Sequence, residues 1–194
     1  MIAPETLRTR IEAVVIGASA GGVEALTQLL PALPARFRPA MFIVLHLPRE
    51  RPSLLVEIFA RRCPRPIREA EDKEPVEPGS VYFAPPDYHM LLEKNRQIAL
   101  SADAPLHFSR PSIDVLFESA ADVYAERLLG IILTGANEDG AAGLHAIHQA
   151  GGVTVVQQPD NAKAPRMVVS ALQRGPADFV LSLPEIARLL GALA

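Results

Sequence analysis

The feature that most constrains this chain is the regular alternation of short apolar runs, rich in β-branched residues, with segments whose apolar residues recur at helical spacing. Near-continuous apolar strands that alternate with helices are typical of parallel sheets covered on both faces. We therefore predict an α/β fold with a doubly wound, mostly parallel sheet and helices on both faces, in three αβα layers. The predicted strands are 13–16, 41–45, 81–84, 128–133, 153–156 and 179–181, and the predicted helices are 22–30, 53–62, 112–126, 140–150, 165–172 and 184–193.

A further pair of apolar runs predicts an antiparallel hairpin. The runs 88–92 and 97–100 flank the polar residues 93–96, and we place this hairpin at an edge of the sheet. The length of 194 residues suits one unit of folding. We expect a single domain over 1–194, with its core at about 12–193.

The composition argues against several functional classes. Cys63 is the single cysteine, so no disulfide forms within the chain and a reducing compartment fits best. Residues 1–10 lack the apolar core of a signal peptide, and no apolar run is long enough to span a bilayer. The net charge of −3 and the absence of Trp give no basic field and few stacking platforms for nucleic acid. We expect a cytoplasmic protein that neither binds nucleic acid nor inserts into a membrane.

Three reactive side chains follow three predicted strands. Ser19 lies in the glycine-rich turn 17–22, His46 follows the second strand, and Asp139 lies in the loop 134–140. Because the carboxyl ends of parallel strands share one edge, these residues are expected to converge there. A serine hydroxyl needs a base to become a nucleophile, and a carboxylate orients that base. The pattern predicts a catalytic triad of Ser19, His46 and Asp139, with free N–H groups at the start of the next helix for an oxyanion.

Other interpretations of these residues remain open. Ser19 is also a candidate N-cap in a phosphate-binding turn, because Gly17 and Gly22 give a degenerate dinucleotide-binding pattern. That pattern calls for an acidic residue at the end of the second strand, where His46 stands, so nucleotide binding is disfavoured.

The base and the acid each have an alternative as well. An isolated His46 would more often be a core histidine, and Asp139 would serve as a cap for the helix that starts at Gly140. Glu138 is a rival for the role of the acid. His145 and His148 are three residues apart on one predicted helix, a spacing that can hold a metal, but no third ligand is evident.

The chain resembles the catalytic domain of the bacterial chemotaxis protein-glutamate methylesterase family, CheB. The resemblance covers the chain from about 14 to 190, and the loops around Ser19, His46 and Asp139 are quite specific to that family. The matching stretches are 15–22 (VIGASAGG), 43–48 (IVLHLP), 79–86 (GSVYFAPP), 111–117 (PSIDVLF) and 132–143 (ILTGANEDGAAG).

The resemblance implies hydrolysis of glutamyl methyl esters on the cytoplasmic helices of methyl-accepting chemotaxis receptors, with glutamine deamidation in related members. The family's nucleophile, base and acid fall on Ser19, His46 and Asp139, and the backbone N–H groups of Ala20 and Ala136 would form the oxyanion hole. No metal or other cofactor is implied. The family's usual receiver domain has no counterpart in this sequence, so a separate receiver protein is a candidate partner besides the receptor.

The sequence also departs from the family pattern near the predicted site. Ala20 stands where threonine is usual, Leu45 where glutamine is usual, and Ala136-Asn137 where Met-Gly is usual. These departures motivate an alternative: a catalytically weak or inactive interaction module in a chemotaxis-type signalling pathway. Arg166 is a candidate guide for an acidic substrate helix, against the alternative of an ordinary surface arginine.

Overall fold

The computed structural model describes residues 4–46 and 53–194, and its centre is one sheet of seven parallel strands. The order of the strands across this sheet is β3-β4-β2-β1-β7-β8-β9, and β5 and β6 form a separate antiparallel pair. The nine strands are β1 (Ala13–Ala18), β2 (Ala40–Leu45), β3 (Ile67–Glu69), β4 (Val81–Phe83), β5 (His89–Leu92), β6 (Ile98–Ser101), β7 (Leu128–Ile132), β8 (Val153–Gln157) and β9 (Phe179–Leu181).

Helices connect the strands and cover both faces of the sheet. Three short 3-10 segments, Leu30–Ala32, Ala125–Arg127 and Pro159–Asn161, extend some of the connections. The α-helices are α1 (Pro4–Arg10), α2 (Gly22–Leu29), α3 (Leu55–Ala60), α4 (Ile113–Tyr124), α5 (Ala141–Gln149), α6 (Arg166–Arg174) and α7 (Leu183–Gly191). None of these helices in the described ranges has the length and apolar content needed to cross a bilayer.

The period of two along each strand divides the core into two layers. Val14 and Ile16 of β1 point into a layer covered by α2, α3 and α7, whereas Val15 points into a layer covered by α4, α5 and α6. Every residue of β1 and β2 is buried because both faces are covered.

The direction of winding changes at the centre of the sheet. β1 pairs with β2 on one side and with β7 on the other, and both pairings are parallel. The carboxyl edge at such a switch point is where open parallel sheets place their ligands. The loops after β1, β2 and β7 therefore meet at the position that the fold favours for a site.

The prediction of a doubly wound, mostly parallel sheet with helices on both faces is confirmed. The placement of the hairpin at an edge of that sheet was wrong: β5 and β6 pair only with each other and pack on α4, with the Leu92 N–H donating to Ser119 Oγ at 3.1 Å. Helix α1 and strand β3 were not predicted. The second predicted helix starts at Leu55 in the structure, and residues 47–52 lie outside the described residues.

A close contact between α4 and α5 gives a test of this packing. A Cβ added at Gly143 would lie 2.5 Å from Phe117 Cβ and 3.1 Å from Asp114 Cα, so Gly143→Ala must push the two helices apart. We expect it to lower the free energy of unfolding by about 1–3 kcal/mol in urea denaturation. Gly191→Ala is the matched control, because nothing lies within 4 Å of its added Cβ. We expect the control to keep or raise stability, by up to about 1 kcal/mol.

Candidate active site

A tight turn between β1 and α2 presents Ser19. The Ser19 N–H donates to Thr134 O at 3.0 Å, and Ser19 O accepts the Gly22 N–H at 2.8 Å. Gly21 has a φ of +83°, and an added Cβ there would lie 2.8 Å from Lys163 Cβ, so the position requires glycine. The turn leaves the Ser19 side chain partly exposed just beyond the end of β1.

His46 lies beside this turn because β1 and β2 are neighbours in register. Ala18 pairs with Leu45, and the His46 N–H donates to Ala18 O at 3.1 Å. Adjacent strands are about 4.8 Å apart, so Ser19 and His46 emerge side by side. Their side chains are not hydrogen-bonded to each other: Ser19 Oγ bonds to neither ring nitrogen of His46, and the predicted nucleophile–base contact stays a prediction.

Asp139 contacts the other side of the imidazole. Its side chain is fully buried, and Oδ2 lies 2.8 Å from His46 Nε2. Oδ2 also accepts the Ile113 N–H at 2.8 Å, while Oδ1 accepts Ser112 Oγ at 2.9 Å and the Asp114 N–H at 3.0 Å. Asp139 thus caps the N-terminus of α4. The alternative that it caps the helix after Gly140 is wrong, since its carboxylate binds His46 and residues 112–114 and none of the N–H groups at the start of α5.

The hydrogen-bond donors around Asp139 keep its carboxylate negatively charged. Burial alone would raise the pKa of Asp139, but the hydrogen bonds from His46 and from the N–H groups of Asp114 and Ile113 outweigh it and hold that pKa below its usual range. Asp139 is therefore ionised at neutral pH and can only accept hydrogen bonds. It follows that His46 Nε2 carries a proton, and in the neutral ring Nδ1 carries the lone pair.

A further side chain reaches that second nitrogen. Asn137 Nδ2 lies 3.5 Å from His46 Nδ1, and Asn137 Oδ1 accepts the Asp139 N–H at 3.3 Å. We did not predict Asn137 as a site residue from the sequence, although it occupies one of the positions that depart from the family pattern.

Two residues behind Asp139 were also missed. The Ser112 N–H donates to His89 Nδ1 at 3.1 Å, and His89 Nε2 lies 3.2 Å from Ala104 O, so buried His89 supports the residue whose hydroxyl binds Asp139. Ser112 had a visible signal as the start of a helix, but its hydroxyl goes to Asp139 rather than to that helix. His89 carried no signal in the sequence.

Glu138, the rival acid, points elsewhere. Its carboxylate is exposed and lies 3.5 Å from His107 Nδ1, while His107 Nε2 lies 3.4 Å from Asp114 Oδ2. Burial raises the pKa of Asp114 to about 6 and the neighbouring Asp139 charge adds to the rise, although the Gly143 N–H at 2.7 Å opposes it. Asp114, which neighbours Asp139, is therefore a carboxyl group with a pKa close to neutral pH.

The loops that carry the two predicted oxyanion donors are bound to each other. Thr134 Oγ1 donates to Ala20 O at 2.9 Å, and both Ala20 and Ala136 are exposed. Within residues 4–46 and 53–194, neither the Ala20 nor the Ala136 N–H donates a hydrogen bond. Both donors are therefore available to a ligand at this edge of the sheet.

Arg166 opens α6 and is exposed. The start of this helix is tied to the loop before Ala136, since the Gly135 N–H donates to Ala164 O at 2.9 Å and the Met167 N–H to Gly135 O at 3.0 Å. These bonds place Arg166 next to the loop that carries the second oxyanion donor.

Side chains of metal-ligating type meet once in the described part of the chain, where one ligand atom each from His107, Asp114 and Asp139 lies within 4.8 Å of the others. Four hydrogen bonds already occupy the carboxylate of Asp139, so Asp139 has no free oxygen to bind a metal ion. His148 Nδ1 is 3.8 Å from Asp178 Oδ2, and His145 does not join such a group in the described residues.

Comparison with known proteins identifies the family. The model of the CheB methylesterase family matches residues 14–190. This chain belongs to the CheB methylesterase family. The resemblance seen in the sequence is therefore confirmed. The crystal structure of the CheB methylesterase catalytic domain of Thermotoga maritima superposes with a TM-score of 0.88 at 31% identity, over 95% of this chain and 99% of that one.

Curated relatives carry paired activities in their names. A relative from Leptospira interrogans, named for protein-glutamate methylesterase and protein-glutamine glutaminase, is 47% identical over 178 residues, or 92% of each chain. A relative of the same two activities from Trichodesmium erythraeum is 36% identical over 189 residues, which is 94% of this chain and 53% of that protein. The chain thus spans nearly all of the first relative and about half of the second.

The raised pKa of Asp114 predicts a pH-dependent stability. In the folded protein the pKa of Asp114 is about 6, above the usual 3.8 of an unfolded chain. Its contribution to stability is therefore complete below about pH 3.8 and is lost as the pH rises through about 6. Between about pH 4 and pH 7, we expect ionisation of Asp114 to lower the free energy of unfolding by on the order of 2–3 kcal/mol. Asp139, with its lowered pKa, loses its contribution only at pH below this window.

Urea denaturation across this pH range measures the effect. Asp114→Asn keeps an oxygen for the Gly143 N–H and removes the ionisation, so its pH profile should be flatter than that of the wild type. Asp122→Asn, an exposed change on the same helix, should follow the wild type. Parallel profiles for Asp114→Asn and the wild type would contradict the prediction.

Proposed function

We propose that this chain is a serine hydrolase that removes methyl esters from glutamyl side chains on the cytoplasmic helices of chemotaxis receptors. The observation that carries the proposal is the bond of 2.8 Å between His46 Nε2 and the buried Asp139, at the edge of the sheet where Ser19 emerges from β1. Membership of the CheB methylesterase family and the paired activities named for its relatives support it.

The reaction is an acyl transfer in two steps. Ser19 Oγ attacks the ester carbonyl and gives its proton to His46 Nδ1, and Asp139 stabilises the imidazolium that forms. His46 then returns the proton to the departing methoxide, so methanol leaves and an acyl-serine remains. A water molecule attacks this intermediate with the same base, which regenerates Ser19 and yields glutamate.

The negative charge of each tetrahedral intermediate needs donors that are in place beforehand. Ala20 and Ala136 are exposed, and the described residues leave both of their backbone N–H groups without a hydrogen bond. Since these donors belong to the backbone, replacing the family's usual side chains at these two positions does not remove them.

The same residues can hydrolyse a glutamine side chain. The acyl-serine would be identical, because loss of ammonia from the amide or methanol from the ester leaves the same glutamyl group. His46 would supply the proton that the amine leaving group requires. We therefore assign deamidation of receptor glutamines to the same site as a second activity.

The proposed substrate assigns a role to Arg166 and a location to the protein. A methylated helix near the site would meet Arg166, which is exposed at the start of α6 and carries a charge suited to acidic neighbours of the substrate residue. We place the protein in the cytoplasm, where those helices lie, and we infer that a separate receiver protein is a candidate regulator.

Loss of the nucleophile tests the proposal. Because triad members act as a unit, Ser19→Ala should lower kcat/KM for release of methanol from methylated receptor by at least about a thousandfold, and adding His46→Ala should cost little more. Ser170→Ala on α6 is the control and should keep the wild-type rate. Unchanged activity in Ser19→Ala would remove the nucleophile from this role, and an inactive wild type would favour the interaction module.

The role of Arg166 has its own test. If the guanidinium attracts the substrate helix in the ground state and the transition state alike, Arg166→Ala should raise KM by about three- to tenfold and leave kcat nearly unchanged. Arg174→Ala removes the same charge from the other end of α6 and should change neither constant. Equal effects of the two variants would show a general charge effect and refute a specific contact.

A further inference from the structure

The proposed mechanism leaves one contact of the base unexplained. His46 Nδ1 must accept the proton of Ser19, yet in this structure Ser19 does not bond to it. Asn137 Nδ2 lies 3.5 Å from that nitrogen instead. In the described part of the chain, no other group donates to the nitrogen on which the proposed first step depends.

The hydrogen bonds of Asn137 fix the orientation of its amide group. The Asp139 N–H lies 3.3 Å from Asn137 Oδ1, and a backbone N–H can only donate. The oxygen therefore faces Asp139, and the NH₂ group faces His46. Asn137 is held between the two residues that form the base and its acid.

The protonation of the ring follows from its other partner. The carboxylate of Asp139 accepts hydrogen bonds from Ser112, Ile113 and Asp114 and has no proton to donate, so His46 Nε2 must be the nitrogen that donates to it. The neutral ring then has its lone pair on Nδ1, which accepts from Asn137. A proton on Nδ1 would face the NH₂ group donor to donor, so the contact with Asn137 favours the resting, neutral ring.

We propose that Asn137 is a positioning residue that occupies the lone pair of His46 Nδ1 in the resting enzyme and must release it before Ser19 can transfer its proton. The inference rests on the proposed function for the roles of Ser19 and His46, and it adds a restraint on the activation of the nucleophile. At 3.5 Å the contact is at the long limit of a hydrogen bond, so it can break when a substrate arrives.

Two variants at this position separate a restraint from a structural role. Asn137→Ala removes the donor and frees Nδ1. Asn137→Asp keeps an oxygen for the Asp139 N–H but replaces the donor with a carboxylate, which attracts a proton to Nδ1 and removes the lone pair. A purely structural role of Asn137 Oδ1 would slow Asn137→Ala, which loses the acceptor for the Asp139 N–H, and spare Asn137→Asp, which keeps one. A restraint on His46 predicts the reverse: Asn137→Ala becomes faster and Asn137→Asp slower.

The rate of reaction of the full chain with a fluorophosphonate measures this directly. Ser19 Oγ forms a bond to phosphorus, fluoride leaves, and the serine proton passes to the base, so the rate reports how readily His46 accepts that proton. We expect Asn137→Ala to react about three- to tenfold faster than the wild type, since a neutral hydrogen bond contributes little net free energy. Asn137→Asp should react more slowly. Asn95→Ala, an exposed amide in the turn between β5 and β6, should match the wild type.

Nitrogen-15 NMR of the histidine rings gives a readout that does not depend on activity. Asn137→Ala should move the His46 Nδ1 resonance towards that of a free lone pair and leave Nε2, bound to Asp139, in place; the retained Nε2 signal also shows that the variant is folded. An unmoved Nδ1 resonance would overturn the contact, and labelling of Asn137→Ala at or below the wild-type rate would overturn the restraint. If even the wild type fails to react, the proposed function is wrong, while the NMR result still decides the contact.

Discussion

The buried carboxylate of Asp139 is the group on which the rest of the site depends. An ionised group without water costs several kcal/mol unless hydrogen bonds replace its solvation. Here the start of α4, the hydroxyl of Ser112 and the ring of His46 provide those bonds. The same carboxylate binds the start of α4 and the imidazole of His46. A change that breaks these bonds would therefore disturb both the position of α4 and the orientation of His46. Stability and geometry of the site are linked through one side chain.

Strand ends made most of this site visible in the sequence. Ser19, His46 and Asp139 each follow an apolar run, and the parallel sheet brings such positions to one edge. The choice between Glu138 and Asp139 was not fixed by that rule, because neighbours on one loop differ only in the direction of the side chain. The packing of α4 decides it: its free N–H groups lie where Asp139 points and not where Glu138 points.

Residues that act through contacts far along the chain escaped prediction. His89 and Ser112 contact each other only because β5 packs against the start of α4, and no spacing in the sequence predicts that contact. Strand β3 escaped for another reason, since Ile67–Glu69 is short and half exposed and so lacks the apolar run of a central strand. The hairpin was predicted as an element, but its partner was wrong, because an apolar face shows what is buried and not against which neighbour.

The position of β7 beside β1 has a consequence for synthesis of the chain. On the ribosome β1 to β4 emerge before β7 and can pair with one another, but the other side of β1 keeps its backbone groups unpaired until β7 arrives. Asp139 lies in the loop that follows β7, so the strand that covers this side of β1 also brings Asp139 within hydrogen-bond distance of His46. In a nascent chain, the pairing of β7 therefore removes an exposed strand edge and brings the loop of Asp139 to His46 together.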